Sequence, residues 1–185
     1  MRFIDFREKK ESREAVKALY ETAFPKDEKV PYLLLRLLAG KRNVRFYGIY
    51  EEDSFVGLTY LICQKDLVFL FYFAVNDQVR GQGYGSRILR ALQKRYGNQK
   101  ILLSIEPVDE NSDNYAQRVK RKEFYQRNGF FDLNYTIQEA DVEYEMLCWS
   151  RDGSGVDKET YLKLIRRYLG RSLYHRVYVK QRAWS

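Results

Sequence analysis

The sequence is poor in the residues that build metal sites and disulfide frameworks. It has two cysteines and a single histidine, His175, in 185 residues. A tetrahedral zinc site commonly uses three or four such ligands, so a metal is not expected. Cys63 and Cys148 each lie in an apolar stretch, which favours reduced, buried thiols and a cytoplasmic protein over a disulfide-linked secreted one.

Long apolar runs are also missing. No stretch approaches the roughly 20 apolar residues that a membrane helix needs, and residues 1–20 carry too many charges for a signal peptide. The chain is nevertheless 45% hydrophobic and 16% aromatic, enough for one domain with a real core. Its formal charge of +8 favours an anionic partner: nucleic acid, a ribosomal surface, a membrane surface or a polyphosphate cofactor.

Hydrophobic periodicity predicts an α/β protein with a mixed sheet, because the strand–helix–strand unit over residues 67–106 must be parallel. Ser12 is the predicted N-cap of the first helix, and Ser112 or Asp113 the cap of the fourth. Predicted helices cover residues 12–24, 31–39, 84–96, 114–128 and 157–169. Predicted strands cover residues 44–50, 54–63, 67–75, 101–106, 130–137 and 143–149. The strand at residues 67–75 is apolar throughout, so we expect it to be central and covered on both faces.

A glycine-rich turn follows this central strand. Arg80, Gly83 and Gly85 have R-x-x-G-x-G spacing, and Gly81 is an additional glycine. Such a turn delivers backbone N–H groups to the start of a helix, where they suit a phosphate or pyrophosphate. No G-K-[ST] follows, which excludes a P-loop, and the position after two helices and a hairpin disfavours a dinucleotide fingerprint.

Three blocks together resemble the GNAT superfamily of acyl-CoA-dependent N-acyltransferases. They are FLFYFAVNDQVRGQGYGSRIL, SIEP at residues 104–107 and FYQRNGF at residues 124–130. The resemblance covers residues 12–149 and implies a mixed sheet of six to seven strands, flanked by helices, with splayed central parallel strands. We predict one GNAT domain at residues 1–150, with a C-terminal helix and basic tail at residues 151–185 packed on it.

The resemblance implies an acetyl-CoA site and no metal. Acyl-CoA would lie in a V-shaped gap between the strands at residues 67–75 and 101–106. Backbone groups of Phe73, Ala74 and Val75 would hydrogen-bond the pantetheine arm as a pseudo-strand. The pyrophosphate would be held by the turn residues Arg80, Gly81, Gln82, Gly83, Tyr84, Gly85 and Ser86.

The resemblance also implies catalytic residues. Tyr125 matches the family tyrosine that protonates the sulfur of coenzyme A. Glu106, at the end of its strand, could accept the amine's proton or serve as a structural cap or substrate clamp. Glu28 and Tyr72 are weaker candidates for substrate contact. Many family members carry asparagine and alanine where this chain has Arg118 and Arg121, so either arginine could instead meet coenzyme A phosphates or lie on a solvated face.

We therefore predict an N-acetyltransferase, monomeric or homodimeric, that acts on a primary amine in a ternary complex. A small amine or amino acid is favoured over a protein, since the acidic residues Glu139, Asp141, Glu143 and Glu145 could attract a cation. One alternative is a nucleic-acid or ribosome-associated module, based on the basic, tyrosine-containing run at residues 163–184. Another is a coenzyme A sensor without turnover.

Overall fold

The computed structural model describes residues 1–25, 29–139 and 142–178. Over these residues the fold is α/β, with a seven-stranded mixed sheet flanked by helices, which confirms the predicted fold class. The strands are β1 Arg2–Asp5, β2 Val44–Glu51, β3 Ser54–Gln64, β4 Leu67–Val75, β5 Lys100–Ile105, β6 Phe131–Glu139 and β7 Val142–Trp149. The helices are α1 Lys10–Ala23, α2 Tyr32–Leu38, α3 Tyr84–Arg95, α4 Tyr115–Arg127, α5 Lys158–Leu169 and α6 Arg171–Tyr178.

The described chain divides into two compact units. The first unit contains Met1–Gln64 and Val68–Arg95, and the second contains Lys65–Leu67 and the described residues from Tyr96 onward. The predicted domain boundary after residue 150 stays a prediction. None of the described helices is both long enough and apolar enough to cross a membrane.

In the first unit, four strands follow one another in chain order, β1-β2-β3-β4. β2 pairs antiparallel with both β1 and β3, with Ile49 opposite Phe3 and Phe46 opposite Tyr60. Strand β1 was not predicted, because four residues carry too little alternation to be recognised. Helix α1 packs on β2 and β3.

The start of α1 corrects one prediction. The N-cap is Lys9 and not Ser12, which lies inside the helix with only 1% of its surface exposed. Its hydroxyl packs so close to β2 that a Cβ on Gly48 would lie 2.6 Å from Ser12 Oγ. The small serine side chain therefore lets helix and strand approach each other, and the helix begins two residues earlier.

In the second unit, three antiparallel strands have the order β5-β7-β6. The β6–β7 register shifts between Asp132 and Thr136, so residues 133–135 form a bulge in β6. Helix α5 buries Tyr161, Leu164, Ile165 and Tyr168. Its N-cap is Asp157, whose Oδ1 accepts a hydrogen bond from Thr160 N at 2.8 Å.

The segment after α5 differs from the predicted basic tail. Gly170 ends α5 with φ at +78°, and α6 begins at the next residue. Leu173, Tyr174, Val177 and Tyr178 have helical spacing, but eight residues are too short a segment for a helix to be predicted from periodicity alone. Lys180, Arg182 and Trp184 of the predicted basic run lie outside the described residues.

Candidate functional site

The glycine turn of the first unit is built by local hydrogen bonds after β4. Asn76 Oδ1 accepts a hydrogen bond from Gln78 N at 3.2 Å and Asn76 Nδ2 donates one to Phe55 O at 3.0 Å. After a single 3₁₀ turn, Gly81 and Gly83 have φ of +79° and +78°. This left-handed conformation favours glycine, and a Cβ on either residue would have no atom within 4 Å. The backbone is therefore open to a ligand.

Helix α3 begins directly after this turn. Its first α-type bond runs from Arg87 N to Gly83 O at 3.1 Å. The N–H groups of the preceding residues Tyr84, Gly85 and Ser86 lie at the positive end of the helix, which attracts anions. Ile88, Leu89 and Leu92 are buried and hold α3 in place. The turn thus presents open backbone and a helix N-terminus, and pyrophosphate binding by its residues stays a prediction.

The cations beside the turn are already paired. Arg80 Nε lies 2.8 Å from Asp77 Oδ1, on a side chain that is 57% exposed. Arg87 binds Glu51 and its guanidinium lies 5.0 Å from the centre of the Tyr84 ring. Most of the attraction for an anion therefore comes from backbone N–H groups. Arg80 and Arg87, at 57% and 43% exposed, would add to it if their ion pairs opened.

The predicted pantetheine edge, Phe73 to Val75, forms the last three residues of β4. Ala74 is buried, and Phe73 and Val75 are half-buried. The strand ends at Val75, and the N–H of the next residue, Asn76, donates to Val56 O at 2.9 Å. The three residues predicted to bind the pantetheine arm are therefore followed in the chain by the glycine turn.

Tyr72, a predicted substrate contact, is 5% exposed and packs in an aromatic cluster. Its ring lies 5.1 Å from Tyr20 and 4.8 Å from Phe24, measured between centroids. Its hydroxyl accepts a hydrogen bond from Val30 N at 3.0 Å. This contact fixes the chain that enters α2, and substrate binding by Tyr72 stays a prediction. Glu28 lies outside the described residues.

Glu106 belongs to the second unit, where it follows β5 and forms a cluster with α4. Its Oε1 accepts from Arg118 Nη2 at 2.7 Å, and its Oε2 from Arg121 Nη1 at 3.2 Å and Asn114 Nδ2 at 3.4 Å. Arg118 also donates to Asn114 Oδ1 at 2.7 Å and Pro107 O at 3.0 Å. The Glu106 side chain is 11% exposed. Both of its oxygens are therefore occupied by donors.

This cluster was missed by the sequence reasoning, which placed the two arginines at a phosphate or in solvent. A usable signal existed, because residues three apart on a helix share one face. Arg118 and Arg121 have that spacing. A carboxylate ending the preceding strand is a natural partner for such a pair.

Tyr125 lies in the last turn of α4, at the start of a Schellman motif. Gly129 has φ of +82°, and its N–H donates to Gln126 O at 2.9 Å. Phe130 N donates to Tyr125 O at 3.1 Å, and the two rings lie 5.7 Å apart. The sequence FYQRNGF therefore has a structural meaning: glycine closes the helix, and the following phenylalanine returns to pack on the tyrosine. The predicted Gly129 stop is confirmed, whereas the helix N-cap is Asn114 and not Ser112 or Asp113.

The surroundings of Tyr125 keep its phenol protonated. Burial raises the pKa of Tyr125 to about 12, against an opposing effect of the nearby Arg121 guanidinium. Phe124 and Phe130 supply apolar ring contacts on the side chain. A neutral phenol is a proton donor, which is the state that an acid catalyst needs.

A cleft of about 510 Å³ lies beside the β6 bulge in the second unit. Its walls are formed by Lys122, Asp132, Asn134, Tyr135, Thr136, Glu145 and Met146. The described acidic residues that were predicted to attract a cation already have hydrogen-bond partners, and of these residues Glu145 lines the cleft. Glu145 binds Lys122 at 2.6 Å, Glu143 accepts from Thr136 at 2.7 Å, and Glu139 accepts from Tyr161. Asp141 lies outside the described residues.

Comparison with known proteins identifies the domain. Residues 42–131 match the family model of the acetyltransferase (GNAT) domain. This range contains all three sequence blocks on which the resemblance was based. The match over residues 42–131 therefore agrees with the predicted GNAT family.

Individual relatives agree with this assignment. "Putative acetyltransferase YjbC" of Bacillus subtilis is 35% identical over 91 residues, which cover 49% of this chain and 38% of that protein. A solved GNAT-family structure from Bacteroides thetaiotaomicron, also described as a putative acetyltransferase, has a TM-score of 0.74 at 23% identity and covers 94% of this chain and 98% of its own. An aminoglycoside 6′-N-acetyltransferase complexed with coenzyme A has a TM-score of 0.63 at 16% identity, over 85% of this chain and 100% of its own. The solved structures show the fold.

Proposed function

We propose that the protein transfers an acetyl group from acetyl-CoA to a primary amine. The observation that carries this proposal is the placement of Tyr125 in the Schellman closure of α4, with its ring against Phe124 and Phe130, inside the range that matches the GNAT domain. An amide-forming enzyme that uses a thioester needs a proton donor for the departing sulfur. Tyr125 fits that task because it is protonated over the whole physiological pH range.

Acetyl-CoA is the proposed acyl donor, and it supplies the activated acetyl thioester. The turn from Arg80 to Ser86 would bind its pyrophosphate through backbone N–H groups. Gly81 and Gly83 support this role, because their left-handed backbone is open and unobstructed by side chains. Phe73, Ala74 and Val75 would offer backbone hydrogen bonds to the pantetheine arm. A structural relative binds coenzyme A, which is consistent with this assignment.

The proton balance of the reaction sets the roles of the side chains. The amine nitrogen attacks the thioester carbonyl, the new C–N bond forms and the C–S bond breaks. One proton leaves the nitrogen for water, directly or through Glu106, and one reaches the sulfur from the Tyr125 hydroxyl. Tyr125 then recovers a proton from water, so the cycle needs no other reactant.

Glu106 was predicted as the base, and its surroundings favour a positioning role. A base must present a free lone pair to the amine or to a bridging water. Arg118 and Arg121 occupy both carboxylate oxygens. Arg121 is the more exposed partner, at 40% against 19% for Arg118, so an amine or a bridging water would reach the carboxylate from the Arg121 side. We keep the base role as a prediction with its own test below.

The proposed acceptor is a small cationic amine or amino acid. A positively charged acceptor suits an enzyme whose candidate substrate contact Glu28 is a carboxylate. One structural relative is named as an aminoglycoside 6′-N-acetyltransferase. In the proposed mechanism the amine attacks acetyl-CoA directly, in a ternary complex.

The test is acetyl-CoA turnover with a panel of small amines, amino acids, aminoglycosides and peptides, measured by thiol release. We expect rapid release with at least one small amine and slow release with peptides. Binding of acetyl-CoA without acetyl transfer to any amine of the panel would contradict the proposal and favour a coenzyme A sensor without turnover. A salt-sensitive shift with RNA, without protection by acetyl-CoA, would select the nucleic-acid module.

A further inference from the structure

Helix α4, which carries Tyr125, is attached in an unusual way. It has no buried residue along its 13 positions. Its basic residues are Arg118, Lys120, Arg121, Lys122 and Arg127. Most helices in a folded domain are fixed by an apolar face. Besides the ring contacts of Phe124 and Phe130, the location of the Tyr125 phenol therefore depends on polar contacts between α4 and its neighbours.

Two side chains near Tyr125 join α4 to the sheet. Gln126 Nε2 donates a hydrogen bond to Asp132 Oδ2 at 3.3 Å, and Lys122 makes the charged contacts. Its Nζ lies 2.6 Å from Glu145 Oε2 on β7 and 3.1 Å from Asp132 Oδ1 on β6. The side chain is only 25% exposed. Burial lowers the pKa of Lys122, but hydrogen bonds to Glu145 and Asp132 outweigh this effect and raise it, so the ammonium group stays charged. One cation thus ties the helix to two strands.

The spacing along α4 links this contact to the phenol. Lys122 precedes Tyr125 by three residues, so the two side chains leave neighbouring positions on one helix face. Asp132 lies at the edge of the β6 bulge, where the β6–β7 register changes. The ammonium group therefore fixes α4 at a site where strand pairing is interrupted and gives less support.

We propose that Lys122 is a positioning residue for Tyr125, acting through its ion pairs with Glu145 and Asp132. The inference rests on the proposed role of Tyr125 as proton donor. Removing the ammonium would leave two carboxylates facing each other without a cation, and they would repel. The helix would shift or rotate, and a displacement of about 1 Å at a catalytic group can cost about 100-fold in rate.

Two other contacts of α4 keep the helix folded when Lys122 is changed. The Glu106 cluster anchors its first half through Arg118 and Arg121. The Schellman motif at Gly129 closes its end. A substitution of Lys122 is therefore expected to displace the phenol without unfolding the helix.

The test compares Lys122→Met with Lys122→Arg and with Lys120→Met. Lys120 is an exposed lysine of the same helix, so its substitution is a matched control for lost charge. We expect kcat of Lys122→Met to fall by about 10-fold to 100-fold, with the KM for acetyl-CoA changed by less than about twofold. Lys122→Arg should recover most of the rate, and Lys120→Met should keep it.

A double-mutant cycle with Tyr125→Phe separates positioning from general damage. If Lys122 acts through the phenol, Lys122→Met should lower kcat by less than about twofold once the hydroxyl is gone. An equal loss in both backgrounds, or full activity of Lys122→Met, would overturn the inference. A Tyr125→Phe protein with undiminished turnover would instead overturn the acid assignment, and the inference with it.

Hydrogen exchange supplies a measurement that does not depend on turnover. Amide exchange within α4 should accelerate in Lys122→Met and not in Lys120→Met, because only the first substitution releases the helix. Unchanged protection of α4 in Lys122→Met would overturn the inference, even if no acceptor amine had been found.

Discussion

Substitution of Gly129 by alanine tests how the Schellman motif supports the candidate acid. Gly129 has φ of +82°, and an added Cβ would lie 3.3 Å from Trp149 Cδ1. The left-handed backbone costs a non-glycine residue about 1–2 kcal/mol. The tight contact with the Trp149 ring adds to this, since the ring must move by a few tenths of an ångström. We therefore expect a loss of about 2 kcal/mol in the free energy of unfolding.

A second glycine provides the matched control. Gly153 has a similar φ of +71°, but a Cβ there would have no atom within 4 Å. Gly153→Ala should lower the free energy of unfolding by about 1 kcal/mol through backbone strain alone. The Schellman hydrogen bonds that hold Tyr125 do not involve Gly153, so this variant should keep its kcat.

Urea unfolding and steady-state kinetics of both variants complete the experiment. We expect Gly129→Ala to be the less stable variant, with an unchanged m-value. Its kcat should fall because the chain after α4 no longer brings Phe130 against Tyr125. Equal stability and equal kcat in the two variants would refute the reasoning, since strain at φ would then be the whole effect.

Three further predictions concern the turn, the phenol and the carboxylate. Gly83→Ala should raise the KM for acetyl-CoA in the thiol-release assay, because a side chain would enter the open face of the turn. An unchanged KM would show that the turn does not bind the phosphates of acetyl-CoA at Gly83. Since Tyr125 has a pKa of about 12, its phenol stays a donor below that pH, and kcat measured against pH should have no alkaline loss near pH 10 from this group. Glu106→Gln should remove the acidic limb from the plot of rate against pH if Glu106 is the base. An unaltered pH profile together with a lower free energy of unfolding would show that Glu106 instead stabilises the attachment of α4.

The features that the sequence predicted well are governed by local chemistry. The bounds of β4, Leu67–Val75, match the predicted strand, because nine successive apolar residues allow few alternatives. Gly129 was recognised as a helix stop, because a left-handed C′ residue is a local requirement. The glycine turn likewise combines backbone freedom with a helix start, both of which can be recognised in a short segment.

The features that were missed depend on partners distant in the chain. Ser12 has the chemistry of an N-cap, but its packing against Gly48 of β2 places it inside α1. Helix α4 has poor apolar periodicity, which indicated a solvated basic face. Its partners Glu145 and Asp132 come from strands later in the chain, and no local pattern pairs them with Lys122. Ionic attachment of a helix is thus harder to predict than apolar attachment.

The central claim is that Tyr125 donates a proton during acetyl transfer. Its most direct test is Tyr125→Phe, with kcat measured by thiol release on a responsive amine and acetyl-CoA affinity measured by calorimetry. General acid catalysis contributes about 100-fold or more to a rate. The account predicts a loss of kcat of that size with acetyl-CoA affinity unchanged. Undiminished kcat with the same affinity would contradict it.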